Sequence, residues 1–157
     1  MSTARTGTSP PARHRFAWDG FSFDVPVNWD LSFYHFDRRT SRIRMEDEEA
    51  IRLEAEWTRP RHPVNPAKAR RRYEKKIGKI EEHTREIRDI EALPDGWSGR
   101  IHIMPDDRRF VTAYYLSPEG LFGAFFRLHF DAGGNREPLR IAGDIADSFA
   151  LHREQDI

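Results

Sequence analysis

The sequence predicts an α+β domain: an antiparallel β-sheet packed by a central basic helix and a C-terminal amphipathic helix. Three observations lead there. Short segments alternate apolar and polar residues between turn signals, as strands do. One stretch in the middle repeats its apolar residues at helical spacing, so the order is strands, helix, strands, helix, which belongs to an α+β domain. The two ends frame the rest. Phe21-Ser22-Phe23-Asp24-Val25-Pro26-Val27-Asn28-Trp29 opens the chain, and an amphipathic segment running to Ala146-Asp147-Ser148-Phe149 closes it.

Residues 1–13 are rich in Ser, Thr, Pro, Ala and Arg. They cannot bury apolar surface, so a disordered tail is expected, followed by a single domain over 14–157. Phe16 to Trp18, the pair Asp19-Gly20, and Phe21 to Val25 form a hairpin signal, because Asp-Gly suits a type I′ turn. Pro26 removes a ladder donor and ends the strand. Leu31 to Phe36 reads as a third strand, with Asp37 to Thr40 as its turn. Ile43 to Met45 and Ala50 to Thr58 form the next pair. In the latter, Ile51, Leu53, Ala55 and Trp57 alternate with Arg52, Glu54 and Glu56, which predicts one buried and one wet face.

Arg59 to Pro66 is a proline-rich loop. Asn65 is the expected N-cap and Pro66 the first helical residue. The helix runs to about His83 with Ala69, Tyr73, Ile77 and Ile80 on its apolar side; Gly78 within it costs about 1 kcal/mol against Ala. Arg85 to Ala92 is a short strand and Pro94-Asp95-Gly96 a turn. A meander follows: Trp97 to Met104, Phe110 to Leu116 and Leu121 to Phe130. In its last strand Phe122, Ala124, Phe126, Leu128 and Phe130 share one face, and the other is also partly apolar, so this strand is placed centrally. The final helix is expected from about Glu137 to Leu151, with Leu139, Ile141, Ile145, Ser148 and Phe149 facing inward.

A chain of 157 residues can bury a sizeable core, and its 11 Phe, 4 Trp and 4 Tyr supply much of it. Twenty-six basic residues balance 26 acidic ones, which argues against a surface that coats nucleic acid as a whole. The absence of cysteine excludes disulfides, thiol catalysis and Cys-ligated zinc. Met1 to Arg15 carries no apolar signal region, and no apolar run reaches the roughly 20 residues of a bilayer span. A soluble cytoplasmic protein is expected.

The strand ending in Val25-Pro26, then Trp29, the central helix, the late three-strand meander and the Ser148-Phe149 close resemble the PsbP-like superfamily over roughly Phe16 to Leu151. That group includes photosystem extrinsic proteins, a nuclear import factor that binds the small GTPase Ran, and bacterial envelope proteins. The resemblance implies an adaptor or binding role more than catalysis. It carries no functional residue onto this chain, and fold alone does not fix function.

The sharpest charge feature lies at 59–79, where nine Lys and Arg residues face the single acid Glu74. On a helix, Lys68, Arg71, Arg72, Lys75 and Lys79 share the side opposite Tyr73 and Ile77, a face suited to phosphate or to an acidic partner. The competing reading is a solvated face set against the acidic turn Glu46 to Glu49. His102 with Asp106 and Asp107, and His129 with Asp131, are short of a zinc ligand set. Gly96-Trp97-Ser98-Gly99 lacks the spacing of a nucleophile elbow, and Gly133-Gly134-Asn135 lacks the Lys and Ser/Thr of a P-loop. Trp29 and Trp97, beside turns, read either as interface anchors or as half-buried lids on the sheet.

These readings favour a non-enzymatic macromolecule-binding or adaptor domain with no cofactor. Its partner is expected to be a protein meeting the basic helix through Lys68, Arg71, Arg72, Lys75 and Lys79, the acidic turn at 46–49, or an exposed part of the sheet. Two alternatives stand beside it. One is a small-molecule binder or enzyme with a cleft between sheet and helices, whose polar groups are His102, His129, Arg127 and Asp131. The other is nucleic-acid binding through the basic helix 66–80.

Overall fold

The computed structural model describes residues 12–18 and 20–152. The tail expected over 1–13 therefore falls, for residues 1–11, outside the described residues, as does Asp19 of the first turn. Along the chain the elements are β1 (Arg13–Trp18), β2 (Phe21–Pro26), β3 (Asp30–His35), β4 (Thr40–Glu46), β5 (Ile51–Thr58), α1 (Pro66–Glu81), β6 (Glu86–Asp89), β7 (Trp97–Ile103), β8 (Arg108–Leu116), β9 (Gly123–Ala132), α2 (Arg136–Ser148) and β10 (Ala150–Leu151). They form the α+β architecture expected, with every strand pairing antiparallel.

The strands divide between two sheets rather than forming one. A seven-stranded sheet has the order β3-β4-β5-β9-β8-β7-β6, and a small sheet has the order β1-β2-β10. The close of α2 adds the third strand of the small sheet. Phe149 leaves the helix with extended backbone, and Ala150 and Leu151 then pair with Ser22 and Phe21. The final helix thus ends three residues earlier than expected, because the residues after it serve as a strand.

Strand β9 lies at the middle of the large sheet, which explains its two apolar faces. Ala124, Phe126 and Leu128 point to the inner face, where they meet Leu53 and Ala55 of β5 and Val111 and Ala113 of β8. The small sheet and α2 cover that face. Phe23 stands edge-on to Phe126 with ring centroids 5.3 Å apart, and Phe21 meets Trp57 at 4.6 Å. Ile141, Ala142 and Ile145 of α2 complete the layer. Leu139, expected inside, is exposed: it lies off the stripe formed by Pro138, Ile141, Ala142, Ile145 and Ala146. The opposite face of the sheet carries α1, whose Tyr73 and Ile77 pack with Tyr114 and Phe125.

Strand β2 and the close of α2 meet in space. The Ser148 hydroxyl accepts a hydrogen bond from the Asp24 amide at 2.7 Å and donates to the Asp144 carbonyl at 2.6 Å. Phe149 sits among Phe21, Trp97, Tyr115, Phe122 and Phe126, all with ring centroids within 6.5 Å of its own. Trp29 is buried beside Phe130 and Trp97 is half-buried against Phe126, so both are lids on the core and not exposed anchors.

Candidate functional site

Helix α1 begins as its sequence dictates. The Asn65 side-chain oxygen accepts from the Ala67 amide at 2.9 Å, and Pro66 follows at the first helical position. At 100° per residue, Tyr73 and Ile77 point to the sheet, while Lys68, Arg71, Arg72, Lys75 and Lys79 fall within one outward arc of about 100°. All five are exposed. At 1.5 Å rise per residue the stripe is about 16 Å long.

The remaining charges of α1 are mostly occupied on the sheet side. Lys76 pairs with Glu56 of β5 and lies over the Phe125 ring. Glu74 accepts from the Tyr114 hydroxyl at 2.8 Å and pairs with Arg100 at 2.7 Å. Arg100 also reaches Glu81 at 2.9 Å and Asp89 at 3.5 Å. Burial lowers the Arg100 pKa, but Glu74, Glu81 and Asp89 outweigh it and hold the guanidinium charged. Among the described residues, no carboxylate lies within ion-pair distance of the five outward cations.

The acidic turn does not neutralise them either. Asp47 accepts from the amides of Glu49 and Ala50, each at 2.8 Å, and from Arg52 Nε at 2.6 Å. Burial pushes the Asp47 carboxyl up, yet these bonds win and leave it below the usual carboxylate range. Arg52 departs from the wet face expected for it. It is 7 % exposed and also reaches Asp131 at 3.2 Å and Glu49 at 3.6 Å. The register shift between Met45 and Glu46 leaves Arg52 as the extra residue of a bulge in β5. The turn thus serves Arg52 at the start of β5, while the loop leading into α1 leaves from that strand's other end.

A cavity of about 170 Å³ lies beside α1, between the helix, the proline-rich loop and the edges of β5 and β9. Ala69, Val64, Leu116 and Phe122 give it apolar walls, and Arg72 and Lys76 stand in its lining. Two glycines shape it. Gly120, with φ of +74°, lets its carbonyl accept from the Val64 amide at 3.0 Å, and a Cβ there would lie 2.2 Å from the Val64 carbonyl oxygen. A Cβ on Gly123 would lie 2.6 Å from the Tyr73 hydroxyl. Burial, then the negative charge of Glu56, raises the Tyr73 pKa and keeps its hydroxyl protonated. Neither glycine stood out in the sequence; the Ser117-Pro118-Glu119-Gly120 turn opposite a proline-rich loop was the available signal.

The four polar residues expected to share a cleft are dispersed. Asp131 holds Arg52, and His129 Nε2 lies 3.0 Å from Glu54. Arg127 stacks its guanidinium 5.5 Å from the Phe125 ring centre. His102 is fully buried, with Nε2 2.9 Å from Thr112 Oγ1 and no hydrogen-bond partner at Nδ1. Among the described residues, no group of three or more His, Asp or Glu could hold a metal ion.

His102 yields a pH prediction. Burial, then the positive charge of Arg100, lowers its pKa from 6.5 to about 4. Between these values the unfolded chain binds the proton and the folded chain does not, so stability is full at pH 7 and falls as the solution is acidified through that window. Urea unfolding at pH 7.0 and pH 4.5 should show a loss of about 2 kcal/mol attributable to this residue. His102→Leu should flatten the slope by that amount. Parallel pH slopes for the two proteins would show that His102 does not titrate this way.

The class defined so far is an antiparallel α+β domain with helices on both faces of a seven-stranded sheet and a basic stripe on one of them. The crystal structure of the Saccharomyces cerevisiae Ran-binding protein Mog1p matches it with a TM-score of 0.57 at 6 % identity, covering 90 % of this chain and 96 % of Mog1p. A solved structure from Bacteroides thetaiotaomicron VPI-5482 matches with a TM-score of 0.47 at 11 % identity, covering 90 % of this chain and 49 % of that one. At 6 % identity the likeness to Mog1p is one of fold alone, and at that level it supports the resemblance drawn from Val25-Pro26, Trp29 and Ser148-Phe149. No family model and no curated protein matches the sequence. No helix among the described residues is long and apolar enough to cross a membrane.

Proposed function

We propose that this chain is a protein-binding adaptor whose α1 stripe seats against an acidic surface of its partner. One observation carries the reading: Glu74, Lys76 and Glu81 of α1 are matched by the sheet, whereas Lys68, Arg71, Arg72, Lys75 and Lys79 face solvent with no carboxylate within ion-pair distance among the described residues. Unmatched charge on a rigid helix steers an oppositely charged surface and fixes its orientation. The Ran-binding character of Mog1p supports a protein partner at the level of fold. Membership of the PsbP-like superfamily is part of the same proposal. The stripe contains no aromatic residue on which bases could stack, which favours protein over single-stranded nucleic acid.

The test is a pull-down from host lysate, with nuclease, comparing the native chain with an Arg71→Glu, Arg72→Glu, Lys75→Glu variant. A stoichiometric protein should be recovered by the native chain and weakened about tenfold or more in the variant at physiological salt. Equal recovery by both would remove the stripe from the account. Material lost on nuclease treatment would replace the proposal with nucleic-acid binding.

A further inference from the structure

The cavity beside α1 points to the chemistry of the segment that the stripe receives. We propose that it takes one apolar side chain, about the size of a phenylalanine ring, from an acidic segment of the partner protein; this rests on the adaptor reading above. Three observations converge. The first is size: a cavity of about 170 Å³ matches one ring, since an engineered apolar cavity of about 150 Å³ in another protein holds benzene. The second is continuity. Arg72 belongs to the outward stripe and also lines the cavity, so a segment lying along the stripe passes its mouth.

The third is rigidity. The rim is built before anything binds. The Gly120 carbonyl holds the Val64 amide, and the Ser117 hydroxyl accepts from the amides of Leu121 and Phe122 at 3.2 and 3.0 Å. Pro60 and Pro66 stiffen the opposite wall. A preformed pocket loses little entropy when filled. Charge complementarity decides what surrounds the anchor. Glu56, the one acid in the lining, is already paired with Lys76, so the field at the mouth is set by Arg72 and its neighbours on the stripe. Carboxylates on either side of the anchor meet cations, and an apolar segment without them does not.

Two seven-residue peptides test this on the native chain by isothermal titration. Each has three acidic residues on either side of a central phenylalanine or a central alanine. The phenylalanine peptide should bind about tenfold more tightly, the gain expected from burying most of one such side chain. Ala69→Leu, which fills the cavity from the helix, should bring the ratio close to one. Equal affinities on the native chain, with binding that weakens as salt rises, would overturn the anchor while leaving the stripe in place. No binding of either peptide would sink both readings. Phenylpropionate binding as tightly as the peptide would make the cavity a small-molecule site and overturn the proposal. Sedimentation at the same concentrations should find a monomer; a dimer that must dissociate before the peptide binds would assign the cavity to a second copy and overturn it as well.

Discussion

Replacing Gly120 with valine should lower the melting temperature by roughly 6–12 °C and detach the proline-rich loop from the sheet. The position combines two obstacles. Its φ of +74° lies where a β-branched residue is a genuine outlier, and the new Cβ would meet the Val64 carbonyl oxygen at 2.2 Å. Neither backbone can yield without breaking the Val64 amide bond to the Gly120 carbonyl. Strain and forced displacement together cost on the order of 3 kcal/mol. Thermal unfolding measures the loss, and trypsin cleavage after Arg61 should accelerate as the loop lifts. Gly143→Ala is the control of opposite sign. It sits inside α2 with nothing within 4 Å of the added Cβ, so alanine should stabilise by about 0.5–1 kcal/mol. Unchanged melting and proteolysis for Gly120→Val would show that the loop is not held by this contact.

Phe149→Ala should destabilise by about 3 kcal/mol in urea unfolding, with Phe149→Leu recovering much of the loss. Phe149 is only partly buried, but it touches rings from β2, β7, β8 and β9 and the loop before β9. Its truncation opens a hole where the small sheet, the large sheet and α2 join. Ser148→Ala should cost less, about 1 kcal/mol, since it removes one bonded group from the Asp24 amide. A Phe149→Ala loss below that of Ser148→Ala would mean that the aromatic junction is loosely packed and that the polar contact dominates.

Much of this fold is legible in the residues because local signals agree with the tertiary outcome. Asn65-Pro66 places the start of α1, and the apolar residues on both faces of the Phe122 to Phe130 stretch mark β9 as central. The stripe is legible for the same reason: helical period alone puts its five cations on one side. What escapes is whatever depends on distant strands. Arg52 looks like an outward residue of an alternating strand. Its burial comes from its own position as the extra residue of a bulge in β5 and from Asp131, 79 positions away in the sequence. Phe149 continues an amphipathic pattern, but the chain turns extended there because β2 offers a free edge. The cavity has no pattern of its own, since it is the space between a loop, a turn and a helix that meet only when folded.

The meeting of β2 with the close of α2 also sets how the chain must reach its native state. The Asp24–Ser148 hydrogen bond spans 124 residues and the Ser22–His152 contact spans 130. As the polypeptide emerges during synthesis, the strands of the large sheet exist before α2 and Phe149 can cover their apolar side. Long-range closure of this kind slows folding, into the millisecond-to-second range for domains dominated by distant pairings. In that interval the sheet offers Phe126, Leu128 and their neighbours to any chaperone, or to another nascent chain, that reaches them first.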